Sequence, residues 1–232
     1  VKNTRRQKIR SDQSYMPQNR EQDQIRIVMP RNPSQVDALN YLKTKTLTIL
    51  TGPPGTAKTL LSVYAACQSL QRREIDKIYY VKPIVDVVGE QGLGFLPGEV
   101  DEKTAPHIAP LKDALSVFMP KGKADYLIEK KVIEFVPLEH LRGRSLAKCF
   151  VIADEMQNAI PHSVLTVLTR LGNDSKVALL GDVVQRDLDG KFGRDGLSDA
   201  AKRLSKLNEV KPFKPLPLKI LIKKFSIKSS CW

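Results

Sequence analysis

Residues 52–59, Gly52-Pro53-Pro54-Gly55-Thr56-Ala57-Lys58-Thr59, put two glycines, a lysine and a hydroxyl-bearing pair into one octet. An apolar, β-rich run, Thr46-Leu47-Thr48-Ile49-Leu50, comes before them, and a helical pattern opening with Leu60, Leu61, Val63, Tyr64 and Ala65 follows. A strand, a Gly-containing loop and Lys-Thr at a helix start together make the build of a P-loop. Backbone N–H groups at such a start point at bound phosphates, and the helix dipole favours their negative charge. Lys58 is then placed to reach the β- and γ-phosphates, and Thr59 to hold Mg²⁺. Ala57 stands where this pattern usually has Gly. An L-residue costs about 1–2 kcal/mol in a left-handed conformation. The loop is therefore expected to work only with Ala57 already inside the first helical turn. The plainer alternative is a strand–turn–helix without a ligand.

A second cluster lies far downstream. Cys149-Phe150-Val151-Ile152-Ala153 is a short apolar run that delivers Asp154 and Glu155. Two adjacent acids at the end of a buried strand repel and lose solvation, and metal chemistry gives them a reason. Asp154 can hold Mg²⁺ through its water shell, while Glu155 can orient and deprotonate an attacking water. Alone, an apolar strand ending in acids is weak evidence; paired with the P-loop it is strong. A third stretch, Leu179-Leu180-Gly181-Asp182-Val183-Val184-Gln185, ends the next apolar run. Its Gln185 amide can reach a γ-phosphate or the attacking water, although Gly-Asp also makes ordinary turns.

These residues need a scaffold. Helical spacing marks residues 33–43, after Pro33-Ser34, and then 58–72, 106–118, 123–130, 161–171 and 195–206. Strands are expected at 46–50, 77–81, 132–136, 150–153 and 177–180. This alternation predicts an α/β fold with three layers, a mostly parallel central sheet between helices. Right-handed crossovers would gather all strand C-termini at one edge, where ligands of such sheets bind. Residues 89–103 are rich in Gly and acids and are expected to form a functional loop, not a regular element.

Composition bounds the rest. The 232 residues suffice for one α/β domain with extensions, and 41% hydrophobic residues suffice for a core. The divisions expected are a basic arm over 1–25, a nucleotide-binding domain over 26–206 and a basic tail over 207–232. No apolar run is long enough to cross a membrane, and no apolar leader opens the chain, so residence in the cytoplasm is the default expectation. Cys67, Cys149 and Cys231 are far apart, and His107, His140 and His162 share no metal-ligand spacing with them. The net charge of +13 suggests an anionic partner. Much of the excess lies in the extensions: residues 1–25 carry six Lys/Arg against three acids, and 206–232 carry seven Lys against Glu209 alone. A solvated arm and a nucleic-acid contact both fit such a distribution.

Several stretches together resemble the PhoH family of P-loop ATPases. They are residues 52–59, Leu93-Gly94-Phe95-Leu96-Pro97-Gly98, Leu141-Arg142-Gly143-Arg144-Ser145, Ile152-Ala153-Asp154-Glu155-Met156-Gln157-Asn158, Leu168-Thr169-Arg170-Leu171-Gly172 and Gly181-Asp182-Val183-Val184-Gln185. The resemblance covers roughly residues 30–200. It implies a RecA-like core similar to the first motor domain of superfamily 1 helicases, ATP hydrolysis, and a link to RNA. It further implies that Gln35 reads the adenine edge, that residues 52–59 cradle the phosphates, that Thr59 and Asp154 hold the metal, and that Lys58, Glu155 and Gln185 act in catalysis. Arg142, Arg144 and Arg170 become candidates for an arginine finger or for nucleic-acid contacts, with Arg170 added to the catalytic set. Ala57 departs from the family pattern. So does the stretch after Lys206, which lacks the last strand and acidic-Arg segment of relatives. A shifted frame, a truncation or a lineage-specific tail would each account for that.

A helicase of this kind clamps ATP between two motor domains, and the expected single domain would need a neighbour to complete the site. A homo-oligomer follows as an expectation, such as a hexameric ring passing RNA or single-stranded DNA through its channel. The competing reading is an ATPase switch that regulates protein partners without touching nucleic acid. A P-loop kinase fits less well, since Asp154, Glu155 and Gln185 suit water activation.

Overall fold

The computed structural model describes residues 25–84, 100–182, 195–205 and 225–226. Five parallel strands form the body of the sheet: β1 (Leu47–Thr51), β2 (Lys77–Lys82), β3 (Ile133–Pro137), β4 (Cys149–Ala153) and β5 (Lys176–Gly181). A two-residue strand, β6 (Phe225–Ser226), pairs with β1 in parallel. The order across the sheet is β3-β2-β4-β5-β1-β6. All five expected strands are present, each displaced by about one residue at an end. The tail expected to lack a last strand contributes β6.

Helices cover both faces, as a parallel sheet requires. On one side lie α1 (Pro33–Thr44), α2 (Lys58–Gln71), α3 (Val100–Phe118) and α4 (Lys121–Glu129). Their apolar residues pack on Leu50, Ile78, Tyr80, Phe150, Ile152, Ala178 and Leu180. On the other side lie α5 (Pro161–Thr169) and α6 (Gly196–Ser205), over Leu47, Ile49, Val151, Ala153, Val177 and Leu179. The alternation along each strand sorts side chains between the two cores, because successive residues of a strand face opposite ways. β1, β4 and the core of β5 are buried throughout. This explains why they read as continuous apolar runs, not as alternating ones.

Three helix boundaries differ from expectation by two residues or more, one being the start of α4 at Lys121 in place of 123. The helix expected from 106 begins at Val100, inside the 89–103 segment read as loop, and runs through Pro106 and Pro110. Each proline lacks the N–H of an interior turn, which is why the sequence pattern broke there. Residues 85–99, with the Gly92–Gly98 stretch of the expected loop, lie outside the described residues. The helix expected over 161–171 ends at Thr169, where Arg170 forms the cap. Among the described residues, no helix is long and apolar enough to cross a membrane.

Candidate functional site

The C-terminal ends of β1, β5 and β4 lie side by side, because β5 sits between the other two. The loop after β1 and the acids after β4 are thereby brought to the same edge of the sheet. Gly52 N–H donates to the Gly181 carbonyl at 3.2 Å, which ties the loop to the end of β5. Within the loop, the Thr56 hydroxyl donates to the Pro53 carbonyl at 2.8 Å. Lys58 Nζ donates to the carbonyls of Gly52 at 2.7 Å and Pro53 at 3.0 Å.

Ala57 is not in the helical turn. It caps α2 with φ 66° and ψ 23°, in the left-handed region. The expected placement of Ala57 inside the first helical turn is therefore corrected. The loop must reverse direction between Gly55 and Lys58, and a left-handed residue at 57 makes that reversal. The fold bears the resulting strain, of about 1–2 kcal/mol. Glu155 is also left-handed, with φ 55°. Strained residues of this kind gather at functional sites, and here two of them flank one edge.

Asp154 connects the parts. It is buried, and its Oδ2 accepts from the Thr59 hydroxyl at 2.9 Å and from the Tyr80 phenol at 2.8 Å. Its Oδ1 accepts from the Glu155 N–H at 3.0 Å. Burial, followed by the charge and hydrogen bond of Asp154, holds the Tyr80 phenol well above its ordinary value, so it remains a donor. Burial also lowers the pKa of Lys58; the carboxylates of Asp154, Asp182 and Glu155 pull the other way without cancelling it.

Gln157 is a residue that the sequence reading quoted within a motif but gave no role. It is buried, its side-chain amide donates to the Glu155 carboxylate, and its Oε1 accepts from the Asp182 N–H at 3.1 Å. It thus joins the ends of β4 and β5. Gly181 makes room for it. A Cβ at 181 would lie 2.3 Å from Gln157 Oε1 and 2.6 Å from Leu197 Cδ2. The available signal was the amide two residues beyond Glu155 together with a glycine ending the neighbouring strand.

Gln35 is buried beside the loop. Its Nε2 donates to the Thr56 carbonyl at 3.5 Å, and its Oε1 accepts from the Arg31 N–H at 2.8 Å. Gln185 lies outside the described residues. Arg144 and Arg170 are not brought to the loop. Arg144 pairs with Glu134 at 2.8 Å, near the start of β3. Burial opposes the charge on Glu134, but Arg144 and Lys77 hold its carboxyl below the usual range. Arg170 is exposed and ends α5, with its carbonyl accepting from Leu146 N–H on the way into β4. This is the opposite edge of the sheet, about 17 Å away for a five-residue strand. Neither Arg144 nor Arg170 therefore lies beside Lys58 of its own chain. Arg142 is exposed beyond a short 3₁₀ turn, Leu138–Leu141.

No group of three or more His, Cys, Asp or Glu converges among the described residues. Mg²⁺ does not need one. It keeps several waters and is held by one or two carboxylates with substrate phosphates. The hard oxygens of Thr59 and Asp154, in contact beside the phosphate loop, fit that requirement.

Residues 27–217 match the family model described as PhoH-like protein. A PhoH-like protein of Synechocystis is 40% identical over 174 residues, 75% of this chain and 52% of that protein. One from Bacillus subtilis is 42% identical over 159 residues, 68% of this chain and 49% of its own length. The chain thus spans about half the length of the relatives it matches. The SWI2/SNF2 ATPase core of Sulfolobus solfataricus in complex with dsDNA aligns at TM-score 0.42 and 16% identity, covering 66% of this chain and 32% of that one. That likeness is too distant to bear on function.

Proposed function

The chain belongs to the PhoH-like protein family, and from that membership we propose that it is a Mg²⁺-dependent ATPase. The observation that carries this reading is the hydrogen bond from Thr59 to Asp154, which joins the phosphate loop to the acid-bearing strand across β5. The dipole of α2 alone would favour an acid at its N-terminus; what favours a ligand is that Lys58, Thr59, Asp154 and Glu155 meet at one edge.

Each residue has a task in hydrolysis. The N–H groups of the loop and of the start of α2 receive the phosphates. Lys58 exchanges its bonds to Gly52 and Pro53 for the β- and γ-phosphate oxygens. Thr59 and Asp154 would hold the metal, which when bound neutralises charge developing on the phosphates. Glu155, fixed by Gln157, takes a proton from the attacking water. The water oxygen bonds to the γ-phosphorus, the bond to the β–γ bridging oxygen breaks, and ADP departs. Gln35, hydrogen-bonded to the loop at Thr56, would meet the base of the nucleotide. Gln185 would report the γ-phosphate to the rest of the machine.

The finer part of the proposal is that hydrolysis drives work on RNA or single-stranded DNA, in a homo-oligomer. The net charge of +13 favours a polyanionic partner over a neutral protein surface. The test is the rate of ATP hydrolysis with and without single-stranded RNA at two salt concentrations. Stimulation that salt abolishes supports the motor, and indifference supports a switch acting on proteins. No hydrolysis by the purified chain, together with no Mg²⁺-dependent binding of ATP, would refute the ATPase reading itself.

A further inference from the structure

Tyr80 is fully buried in the middle of the sheet, on the face covered by α1–α4. Its ring packs near Phe135, with centroids 6.2 Å apart. Phenylalanine would satisfy every apolar contact of that position. A hydroxyl placed there must find a partner or lose its solvation. Its partner is Asp154 Oδ2, at 2.8 Å.

The pattern of donors around this carboxylate is asymmetric. Oδ2 accepts two hydroxyl donors, one from α2 and one from β2. Oδ1 accepts one backbone N–H, from Glu155. A carboxylate oxygen has about two lone-pair sites, so Oδ2 is saturated and Oδ1 retains one free site. A threonine hydroxyl has one proton and two lone pairs. Thr59 gives its proton to Asp154 and keeps its lone pairs for a cation.

We infer that Tyr80 is a positioning residue for the magnesium site, fixing which oxygen of Asp154 is committed inward and which faces the cation and its waters. This rests on the ATPase reading above and adds to it a residue with no place in the P-loop or acid motifs. Hydrogen bonds that orient a ligating carboxylate typically govern metal affinity by 10- to 100-fold. Phenol loss leaves Thr59 as the sole donor to Oδ2, and the carboxylate is then free to turn.

The test compares wild type with Tyr80→Phe and, as a second, smaller non-donor, Tyr80→Met. Binding of a fluorescent ATP analogue is measured once with excess Mg²⁺ and once in EDTA, and thermal midpoints are measured without nucleotide. The ratio of the two affinities isolates the contribution of the metal from that of the loop. The inference expects this ratio to fall by about tenfold or more in both variants, while the affinity in EDTA changes less than about twofold. Equal losses in both conditions, or an unchanged ratio in a folded variant, would overturn it and leave the ATPase reading standing. Wild type without any Mg²⁺-dependent affinity would remove both at once.

Discussion

Lys58 Nζ donates a hydrogen bond to the carbonyl oxygen of Gly52, 2.7 Å away, so the lysine at the start of α2 is folded back across its own loop. A second bond, to the Pro53 carbonyl at 3.0 Å, completes the bridge. The ammonium therefore holds the loop in shape while it waits for an anion. A phosphate must compete with two carbonyl dipoles for that charge, and as the stronger partner it wins.

Replacing Lys58 with Ala removes both the clasp and the cation. ATP affinity should fall by about two orders of magnitude, the worth of one or two charge-assisted bonds. Glu155→Gln should instead bind ATP at close to wild-type affinity and turn over poorly, since only proton transfer is impaired. Calorimetry for binding and phosphate release for turnover separate the two variants.

The lowered pKa of Lys58, caused first by burial, has a chemical consequence. A larger fraction of its amine is neutral at mildly alkaline pH than on a surface lysine. Acylation at pH 8.5, read by mass spectrometry, should label Lys58 faster than the exposed Lys121, and ATP should protect it. Because the folded chain releases this proton at lower pH than the unfolded chain, Lys58 contributes stability that increases as pH rises from its lowered value towards 10.5. The opposite trend for this group, isolated by comparison with Lys58→Ala, would contradict the burial argument.

Ala57 carries a strain that glycine would not. With φ 66° it occupies the region that glycine enters freely, while glycine also loses more freedom on folding. The first effect exceeds the second in a left-handed position, so Ala57→Gly should stabilise the fold by about 1 kcal/mol. Urea denaturation would measure this. A destabilised variant would mean that the Ala57 methyl packs more tightly than its half-buried position implies.

The strands and helices could be read from the chain because their signals are local. β4 and β5 are apolar runs bounded by polar residues, and a five-residue stretch such as Cys149–Ala153 has one sensible reading. The site was legible where chemistry is local too, as with Lys58 and Thr59 in the loop and Asp154 beside Glu155. Three things were not. The left-handed conformation of Ala57 belongs to the path of the chain from the loop into α2, which an alanine does not announce. Gln157 gains its role only when Asp182 arrives beside it from another strand. Tyr80 looks like any strand aromatic until the order β2-β4-β5-β1 places its hydroxyl at Asp154. For Gln157 and Tyr80 the missing information was the strand order.

Gln157 and Gly181 should act as a pair. Gln157→Ala frees the Glu155 carboxylate, and turnover should fall about tenfold or more with ATP affinity little changed. Gly181→Ala forces a methyl into the space of Gln157 Oε1 and Leu197. Overpacking of this sort costs about 1–3 kcal/mol. The two defects share one space, so the double variant should be less destabilised than the sum of the singles. Additive losses would show that the collision is with Leu197 and the Gln157 backbone, not with the Gln157 side chain.

The arginines give the last prediction, because their position decides how they can act. Arg170 is exposed at the sheet edge opposite the phosphate loop, about 17 Å distant. No side chain spans that gap, so any contribution to hydrolysis must reach a neighbouring subunit. Arg170→Ala should then leave ATP affinity unchanged and reduce turnover, by up to about 10³-fold for a finger supplied in trans. Mixing decides the matter. Lys58→Ala subunits supply an intact Arg170 but no working loop, and Arg170→Ala subunits supply the reverse. If the arginine acts across an interface, the mixture should regain activity that neither variant has alone, and sedimentation with ATP should show the two in one assembly. Activity of the mixture equal to the average of its parts, with Arg170→Ala impaired, would rule out the shared site.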